Sequence, residues 1–275
     1  MNVLVIGDSC KDVFIYGDIE RISPEAPVPV FKPTHEESND GMAKNVANNV
    51  ESLEMHIYTI RNESGIVKKR YVENRSGQMV LRVDEHDYCD RIKIKKLQGI
   101  TNNKFTSYSL TGTVDNIDVI IISDYNKGFL EESDIQHICE NNKNVFVDTK
   151  KKLGKWIKDA DFIKINELEY KKNHELLSDK GFEEKLIVTL GSKGCRYKGK
   201  EFPVKEVPVK DVSGAGDTFI AGLVRGYLDT QDIESAIEFA QKCTTHVVQK
   251  HGVATVTLKE IQNGQKTAST KRSSS

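Results

Sequence analysis

The sequence predicts an α/β protein built on a mostly parallel sheet with helices on both faces. Two observations carry that reading. Short apolar runs recur along the chain, and each stops at a glycine or a polar residue. Stretches with helical spacing separate them. Runs that are apolar throughout, rather than alternating, mark strands buried on both faces. At 275 residues the chain suits either one large α/β domain with an appendage or two units of roughly 150 residues.

The elements follow in order. Val3-Leu4-Val5-Ile6 ends at Gly7-Asp8, a strand and its turn. Met42, Ala43, Val46, Ala47, Val50 and Leu53 then recur at helical spacing. Val119-Ile120-Ile121-Ile122 ends at Ser123-Asp124, Val145-Phe146-Val147 at Asp148, Phe162-Ile163-Lys164-Ile165 at Asn166, and Leu186-Ile187-Val188-Thr189-Leu190 at Gly191. In open sheets of this type ligands bind beyond the carboxyl ends of the strands. Asp8, Asp124, Asp148, Asn166 and Gly191 all fall there.

Two segments break the rhythm. Residues 13–33 contain Ser23-Pro24-Glu25-Ala26-Pro27-Val28-Pro29-Val30, whose prolines exclude a helix and a central strand. Residues 68–84 read as a hairpin: Arg70-Tyr71-Val72, a turn near Ser76-Gly77, then Met79-Val80-Leu81-Arg82-Val83. Together they form a small β-lid on a main domain spanning 1–262. The Ser/Thr/Lys-rich tail, 263–275, reads as disordered.

Composition narrows the function classes. Lys+Arg is 40 and Asp+Glu is 41, a formal charge of -1, so a general nucleic-acid binder, which needs a basic excess, is excluded. No apolar run approaches the about 18 residues of a membrane span, and the start lacks the basic and apolar regions of a signal peptide. The five cysteines, Cys10, Cys89, Cys139, Cys195 and Cys243, form no CxxC pair. They read as the reduced thiols of a cytoplasmic protein. The histidines lack zinc-site spacing.

The sharpest motif is Asp211-Val212-Ser213-Gly214-Ala215-Gly216-Asp217-Thr218-Phe219. Phe219, Ile220, Leu223, Val224, Tyr227 and Leu228 continue it as the apolar face of a helix. Gly214, Ala215 and Gly216 therefore sit at a helix N-terminus, where small residues let free amides approach an anion. Asp217 lies in the first turn, suited to accept a proton from an attacking hydroxyl during phosphoryl transfer. The plainer alternative is a carboxylate that only satisfies the N-terminal amides. Two commoner phosphate motifs fail. Gly194 to Lys200 matches GxxxxGK, but Glu201 follows where a P-loop needs Ser or Thr. Gly214-Ala215-Gly216 begins a GxGxxG, but Phe219 stands at its third glycine.

From about residue 3 to residue 257 the chain resembles the ribokinase-like (PfkB) carbohydrate kinases, through Gly214-Ala215-Gly216-Asp217 and its helix. Within that family, Arg21-Ile22-Ser23-Pro24-Glu25-Ala26-Pro27-Val28-Pro29-Val30 is similar to the lid of the D-glycero-D-manno-heptose 7-phosphate kinases of lipopolysaccharide biosynthesis. Leu81-Arg82-Val83-Asp84 and Ser123-Asp124-Tyr125-Asn126-Lys127-Gly128 look like the same branch. The resemblance implies a ribokinase-like three-layer sandwich, ATP and Mg2+ as cofactors, and a sugar phosphate as substrate. It implies Asp217 as catalytic base and Gly214, Ala215 and Gly216 as anion hole. Asn166 and Glu169 match an Asn-x-x-Glu element that organises magnesium, Glu169 indirectly, and phosphate. A solvated helix face is the alternative for Glu169. Thr189, Gly191, Ser192 and Gly194 match the loop along the nucleotide, or form an ordinary glycine turn. His246 and Gly252 fall near the adenine site, although His246 taken alone suits core or surface.

On the sugar side the resemblance gives Asp8 and Asp12 as carboxylates for sugar hydroxyls, and Gly41 and Asn45 at the start of the next helix. The family's second glycine is Met42 here. Arg82 and Lys127 are candidates for a substrate phosphate, oriented by Asp84 and Asp124. The alternative for each is a surface charge beside a carboxylate. A further departure is length: only residues 55–67 stand where the family carries another strand, helix and strand. The apolar surface so exposed needs another cover, and a homodimer through the lid is expected. Two other readings stay open: a kinase of the same fold for another sugar or sugar phosphate, and a catalytically weak sugar-phosphate-binding or assembly subunit.

Overall fold

The computed structural model describes residues 1–63, 65–107, 112–114, 116–173 and 180–263. In chain order the elements begin with β1 (Asn2–Gly7), β2 (Ser9–Ile22), β3 (Pro29–Met42), α1 (Ala43–Ser52), β4 (His56–Arg61), β5 (Ile66–Glu73) and β6 (Met79–Glu85). There follow α2 (Ile94–Gln98), β7 (Phe105–Ser107), β8 (Gly112–Val114), β9 (Val119–Asp124), α3 (Glu132–Asn141), β10 (Val145–Thr149), β11 (Phe162–Asn166), α4 (Glu167–Asn173) and α5 (Lys180–Glu183). The chain continues with β12 (Leu186–Thr189), β13 (Cys195–Tyr197), β14 (Lys200–Phe202), α6 (Ala215–Thr230) and α7 (Ile233–Val247).

The central sheet has eight strands in the order β14-β13-β12-β11-β10-β9-β1-β4. Every pairing from β4 to β12 is parallel, and β13 and β14 form an antiparallel margin. Side chains alternate across it. Leu4, Ile6, Ile120, Ile122, Val147, Ile163 and Ile165 face one way, onto Ile135 and Ile138 of α3. Val3, Val5, Val119, Ile121, Phe146 and Ile187 face the other, onto α1, α6 and α7. The result is a three-layer α/β sandwich. Chain order reverses between β1 and β9, and that switch point opens a crevice at the carboxyl ends of the two strands.

A second sheet, order β3-β2-β5-β6, stands on this sandwich as the lid. It is larger than the sequence predicts. β2 and β3 pair from Ser9↔Met42 to Ile22↔Pro29, so the lid reaches down to Met42. The charged run from Thr34 to Asp40 hides a strand because both its faces meet water over most of its length. Pro29 and Pro33 lie on the edge strand, where a missing donor costs least. Within residues 55–67, β4 forms the sheet edge beside β1. Cover over that end comes from this chain itself: Leu97, Ile100 and Phe105 join the core there, and Tyr58 packs on Phe105 at 5.4 Å. Of the expected tail, residues 264–275 lie outside the described residues. No helix among the described residues is long and apolar enough to cross a membrane.

Candidate active site

Gly214 begins the site. It adopts φ 75 at the N-cap of α6, a conformation that glycine tolerates and side chains resist. A Cβ there would also lie 2.7 Å from Asn45 Nδ2. The turn delivers Asp217 to the third helical position, 5% exposed. Its carboxylate does not cap the helix. Tyr125 donates its hydroxyl to Asp217 Oδ1 at 2.7 Å, and Asn45 donates Nδ2 to Oδ2 at 2.7 Å. Asn49 donates to Asn45, and Thr218 donates its hydroxyl to Asn49 Oδ1. This buried network locks α1 to α6 and fixes the Asp217 carboxylate. Burial raises the Asp217 pKa above the ordinary carboxylate value, and the Tyr125 and Asn45 donors limit the rise. The amides of Gly216 and Asp217 belong to the first turn, where a helix offers no carbonyl partner.

Beside the helix end lies a row of charges. Lys164 donates to Asp148 Oδ2 at 2.6 Å; Lys150 contacts Asp148 at 3.4 Å and Glu169 at 2.7 Å. Burial alone would raise the Asp148 pKa, but Lys164 and Lys150 overcome it and hold the carboxyl below its usual value. Asn166 and Glu169 bond each other reciprocally. The Asn166 amide donates to Glu169 Oε2 at 2.8 Å, and the Glu169 amide to Asn166 Oδ1 at 2.9 Å, a capping box at the start of α4. Glu169 is thus neither a free ligand nor a solvated face; its side chain is 13% exposed. Asp148 lies at a strand end, as its sequence position predicts, while Lys164 and Lys150 join it without a motif that marks them. A lysine inside an apolar strand was the available signal.

A cavity of about 610 Å3 opens on one side of the α6 N-terminus. Thr189, Gly191, Ser192 and Gly194 line it, with Ala215 and Gly216. Its walls include Val204, Val207, Val209, Val212, Phe219 and Val248, an apolar slot that also takes in Lys205 and Glu206. From α7 it takes Gln241, Thr244 and Thr245, and from the helix C-cap Val248. That is one helical face, and His246 lies off it, with Nδ1 against Lys242 O at 2.9 Å. Gly252 does not line the cavity either; its amide donates to Asp211 Oδ2 at 3.1 Å.

On the other side the lid base meets α1. Asp12 accepts from Arg70 at 2.5 Å, and a Cβ on Gly41 would lie 2.4 Å from Asp12 Oδ2. A polar cavity of about 480 Å3, lined by Cys10, Lys11, Asn45, Asn48, Arg61 and Asn62 among others, shares Asn45 with the Asp217 network. Asp8 is fully buried and works as a clamp: Oδ2 accepts the Tyr125 amide at 2.6 Å and Oδ1 the Phe129 amide at 3.2 Å. Two expectations change on this side, while Arg82 has its expected partner, Asp84. Arg82 is held by both oxygens of Asp84 at 2.7 Å on the open lid strand β6, because the two alternate along one face. Lys127 pairs with Asp87 at 2.5 Å rather than with Asp124. Asp124 turns inward to Thr149 and Lys151.

Among the described residues no group of three or more His, Cys, Asp or Glu could hold a metal. A fit to magnesium rests on carboxylates near the phosphate site instead, since magnesium keeps several waters and binds through one or two carboxylates plus substrate phosphates. Asp148, Glu167 and Asp217 are the carboxylates that line one cavity with Asn166, Gly214 and Gly216, and of these Asp148 already sits among the cationic side chains of Lys150 and Lys164.

A model described as pfkB family carbohydrate kinase matches residues 102–260. The chain is 30% identical over 304 residues to the bifunctional protein HldE of a Nitratiruptor species, covering 95% of this chain and 64% of that protein. It is 31% identical over 311 residues to a bifunctional protein HldE of Helicobacter pylori, covering 94% of this chain and 66% of that one. The chain therefore spans just under two thirds of the length of these relatives. Among solved structures, the ribokinase of Thermotoga maritima aligns with TM-score 0.69 at 16% identity, over 96% of this chain and 99% of that chain. The Arabidopsis thaliana ribokinase complexed with ribose and ATP aligns with TM-score 0.69 at 14% identity, over 95% and 97%. The fold is ribokinase-like.

Proposed function

The chain belongs to the pfkB family of carbohydrate kinases, and from that premise we propose that it transfers the γ-phosphate of ATP to the anomeric hydroxyl of D-glycero-D-manno-heptose 7-phosphate, with Asp217 as general base. The observation that carries this reading is the position of Asp217. It lies buried at the mouth of a helix N-terminus, bonded to Asn45, with the apolar slot on one side and the polar lid cavity on the other.

The chemistry follows from those groups. The slot takes the nucleotide, and Gly214, Ala215 and Gly216 let its phosphates reach the helix amides. The lid cavity takes the sugar. The Asp217 carboxylate has room for another proton, since two oxygens offer about four acceptor sites and two are used. It takes the proton of the anomeric hydroxyl. The hydroxyl oxygen bonds to the γ-phosphorus, the β–γ bridging bond breaks, and its electron pair leaves with ADP. Burial makes Asp217 a stronger base than an exposed carboxylate. Asp148 would hold the magnesium that accompanies ATP, with Glu169 acting through Lys150, and that ion would supply charge neutralisation at the phosphates.

Support for the heptose comes from the lid-tip run Arg21–Val30 and from the likeness to the HldE proteins. Met42 favours a second reading, another sugar phosphate. It holds φ 60 where the family carries glycine, and it packs its side chain into the core at the start of α1. The reading extends to a homodimer through the lid, because β6 is an edge strand with Met79 51% and Leu81 54% exposed. The buried free cysteines suit a reducing cytoplasm.

The test is ADP formation with magnesium and ATP over a sugar panel that includes heptose 7-phosphate and its unphosphorylated parent. Turnover on heptose 7-phosphate alone supports the full reading. Turnover on another sugar keeps the mechanism and discards the heptose. Tight sugar-phosphate binding without turnover favours a binding subunit.

A further inference from the structure

We propose that Lys164 is a further catalytic residue, whose ammonium holds the phosphoryl group in flight against the first turn of α6. The inference rests on the kinase reading and adds a residue to it.

The argument starts in β11. Ile163 and Ile165 bury on the α3 face of the sheet, so Lys164 falls on the α6 face, in register with Asp148 and Ile187. A lysine usually carries its charge out to water along a flexible stem. Lys164 does not: its side chain is 5% exposed, and its partner Asp148 is 4% exposed. Burying both ions costs more than such pairs usually return, so their retention calls for a use.

The location supplies one. A Cβ on Gly216 would lie 3.0 Å from Lys164 Nζ, so the ammonium rests against the second residue of α6. That is the positive end of a helix of 16 residues, with unpaired amides. A cation there is repelled by the helix end. Asp148 offsets this in part, but it also serves Lys150. An anion between ammonium and amides is attracted by both. The cavity at this point, about 440 Å3, is lined by Lys164, Gly214, Gly216, Asn166 and Asp217 together. The anion therefore has space, with the base in the wall.

A phosphoryl group in transfer matches that demand, because its charge spreads over three equatorial oxygens. An ammonium has three donors. Among the described residues Asp148 takes one of them. As the acceptor oxygen bonds to the γ-phosphorus and the bridging bond to ADP breaks, the proton passes to Asp217 and Lys164 stays charged throughout. Asp148 is a positioning residue that aims the ammonium.

The experiment measures ADP formation, and separately calorimetric binding of ADP with and without aluminium fluoride. It compares wild type, Lys164→Met, Lys164→Gln, Lys164→Arg, the double variant Lys164→Met with Asp148→Asn, and Asp217→Asn, each first shown to be folded by its melting transition. Lys164→Met should lower kcat by about 10²–10³-fold, with the sugar KM little changed, and should lose the tightening of ADP by fluoride. Lys164→Arg should recover part of both. The double variant leaves no unpaired buried ion but also removes the carboxylate assigned to magnesium, so only a wild-type rate in it is decisive. Lys164→Gln, which keeps Asp148 in place, should be as slow as Lys164→Met and carries the result if Lys164→Met does not fold. A folded Lys164→Met, Lys164→Gln or double variant with wild-type kcat and wild-type fluoride effect overturns the proposal. With Asp217→Asn inactive in that case, the kinase reading stands. A wild type that neither forms nor binds ADP removes the kinase reading and this proposal with it.

Discussion

Tyr125 donates its hydroxyl to Asp217 Oδ1 at 2.7 Å, across the crevice between β9 and α6. The same residue gives its backbone amide to Asp8 at the end of β1. One tyrosine therefore ties the base to the switch point of the sheet. Burial first, and then the neighbouring Asp217 carboxylate, holds the Tyr125 pKa well above that of a free phenol, so it stays a donor.

Tyr125→Phe removes a hydrogen bond to a charged group, worth roughly 1.5–3 kcal/mol. That bond favours the ionised form of Asp217, so its loss should raise the Asp217 pKa further. The acid limb of kcat/KM should therefore move to higher pH. A pH–rate profile of the two proteins checks this. An unmoved limb would mean that the tyrosine only fills space.

Asp217→Asn separates function from stability. A carboxyl whose folded-state pKa is raised binds its proton more readily in the native state. Its contribution to stability is therefore present at low pH and falls as pH rises from the unfolded value toward the raised folded one. At neutral pH the wild type carries the cost of a buried charge and the variant does not. The melting temperature of wild type relative to Asp217→Asn should thus rise as pH falls from neutral toward about 4. Paired thermal melts across that window read it directly.

Gly214→Ala should harm both fold and chemistry. The position has φ 75, and the new methyl would meet Asn45 Nδ2 at 2.7 Å. The backbone strain alone costs on the order of 1 kcal/mol or more. Displacing Asn45 also frees Asp217 Oδ2. Lower thermal stability together with a fall in kcat is expected, and a melt with a rate assay tests both.

The apolar slot predicts a contrast along α7. Thr245 lines it and His246 does not. Thr245→Trp should raise the ATP KM by about tenfold or more through loss of binding space, and His246→Ala should leave it unchanged. Initial rates at varied ATP decide the matter.

Much of this architecture was legible from local pattern. The buried strands and the glycine turn before Asp217 announce themselves, because apolar runs and small residues at a helix start have few other uses. Asp12, Gly41, Asn45 and Asp217 could be grouped only through the family resemblance, and they do gather at the lid base. What stayed hidden depends on distance along the chain. Tyr125 and Asp217 are 92 positions apart, and nothing local in either reveals the other. The strand from Pro29 to Met42 was masked by its charges, since a two-sided solvated strand lacks period-two alternation. The Arg82–Asp84 pair is two positions apart and legible locally, whereas Lys127 finds Asp87 from 40 positions away, a pairing that no local pattern reveals.

The most direct test of the central claim is ADP formation from magnesium-ATP and heptose 7-phosphate, wild type against Asp217→Asn, with both proteins shown to be folded. The account predicts turnover by the wild type and a loss of about 10²–10⁴-fold in the variant, the range of a removed general base. Equal rates in the two proteins would contradict it, because the buried carboxylate at the head of α6 would then have no part in the transfer.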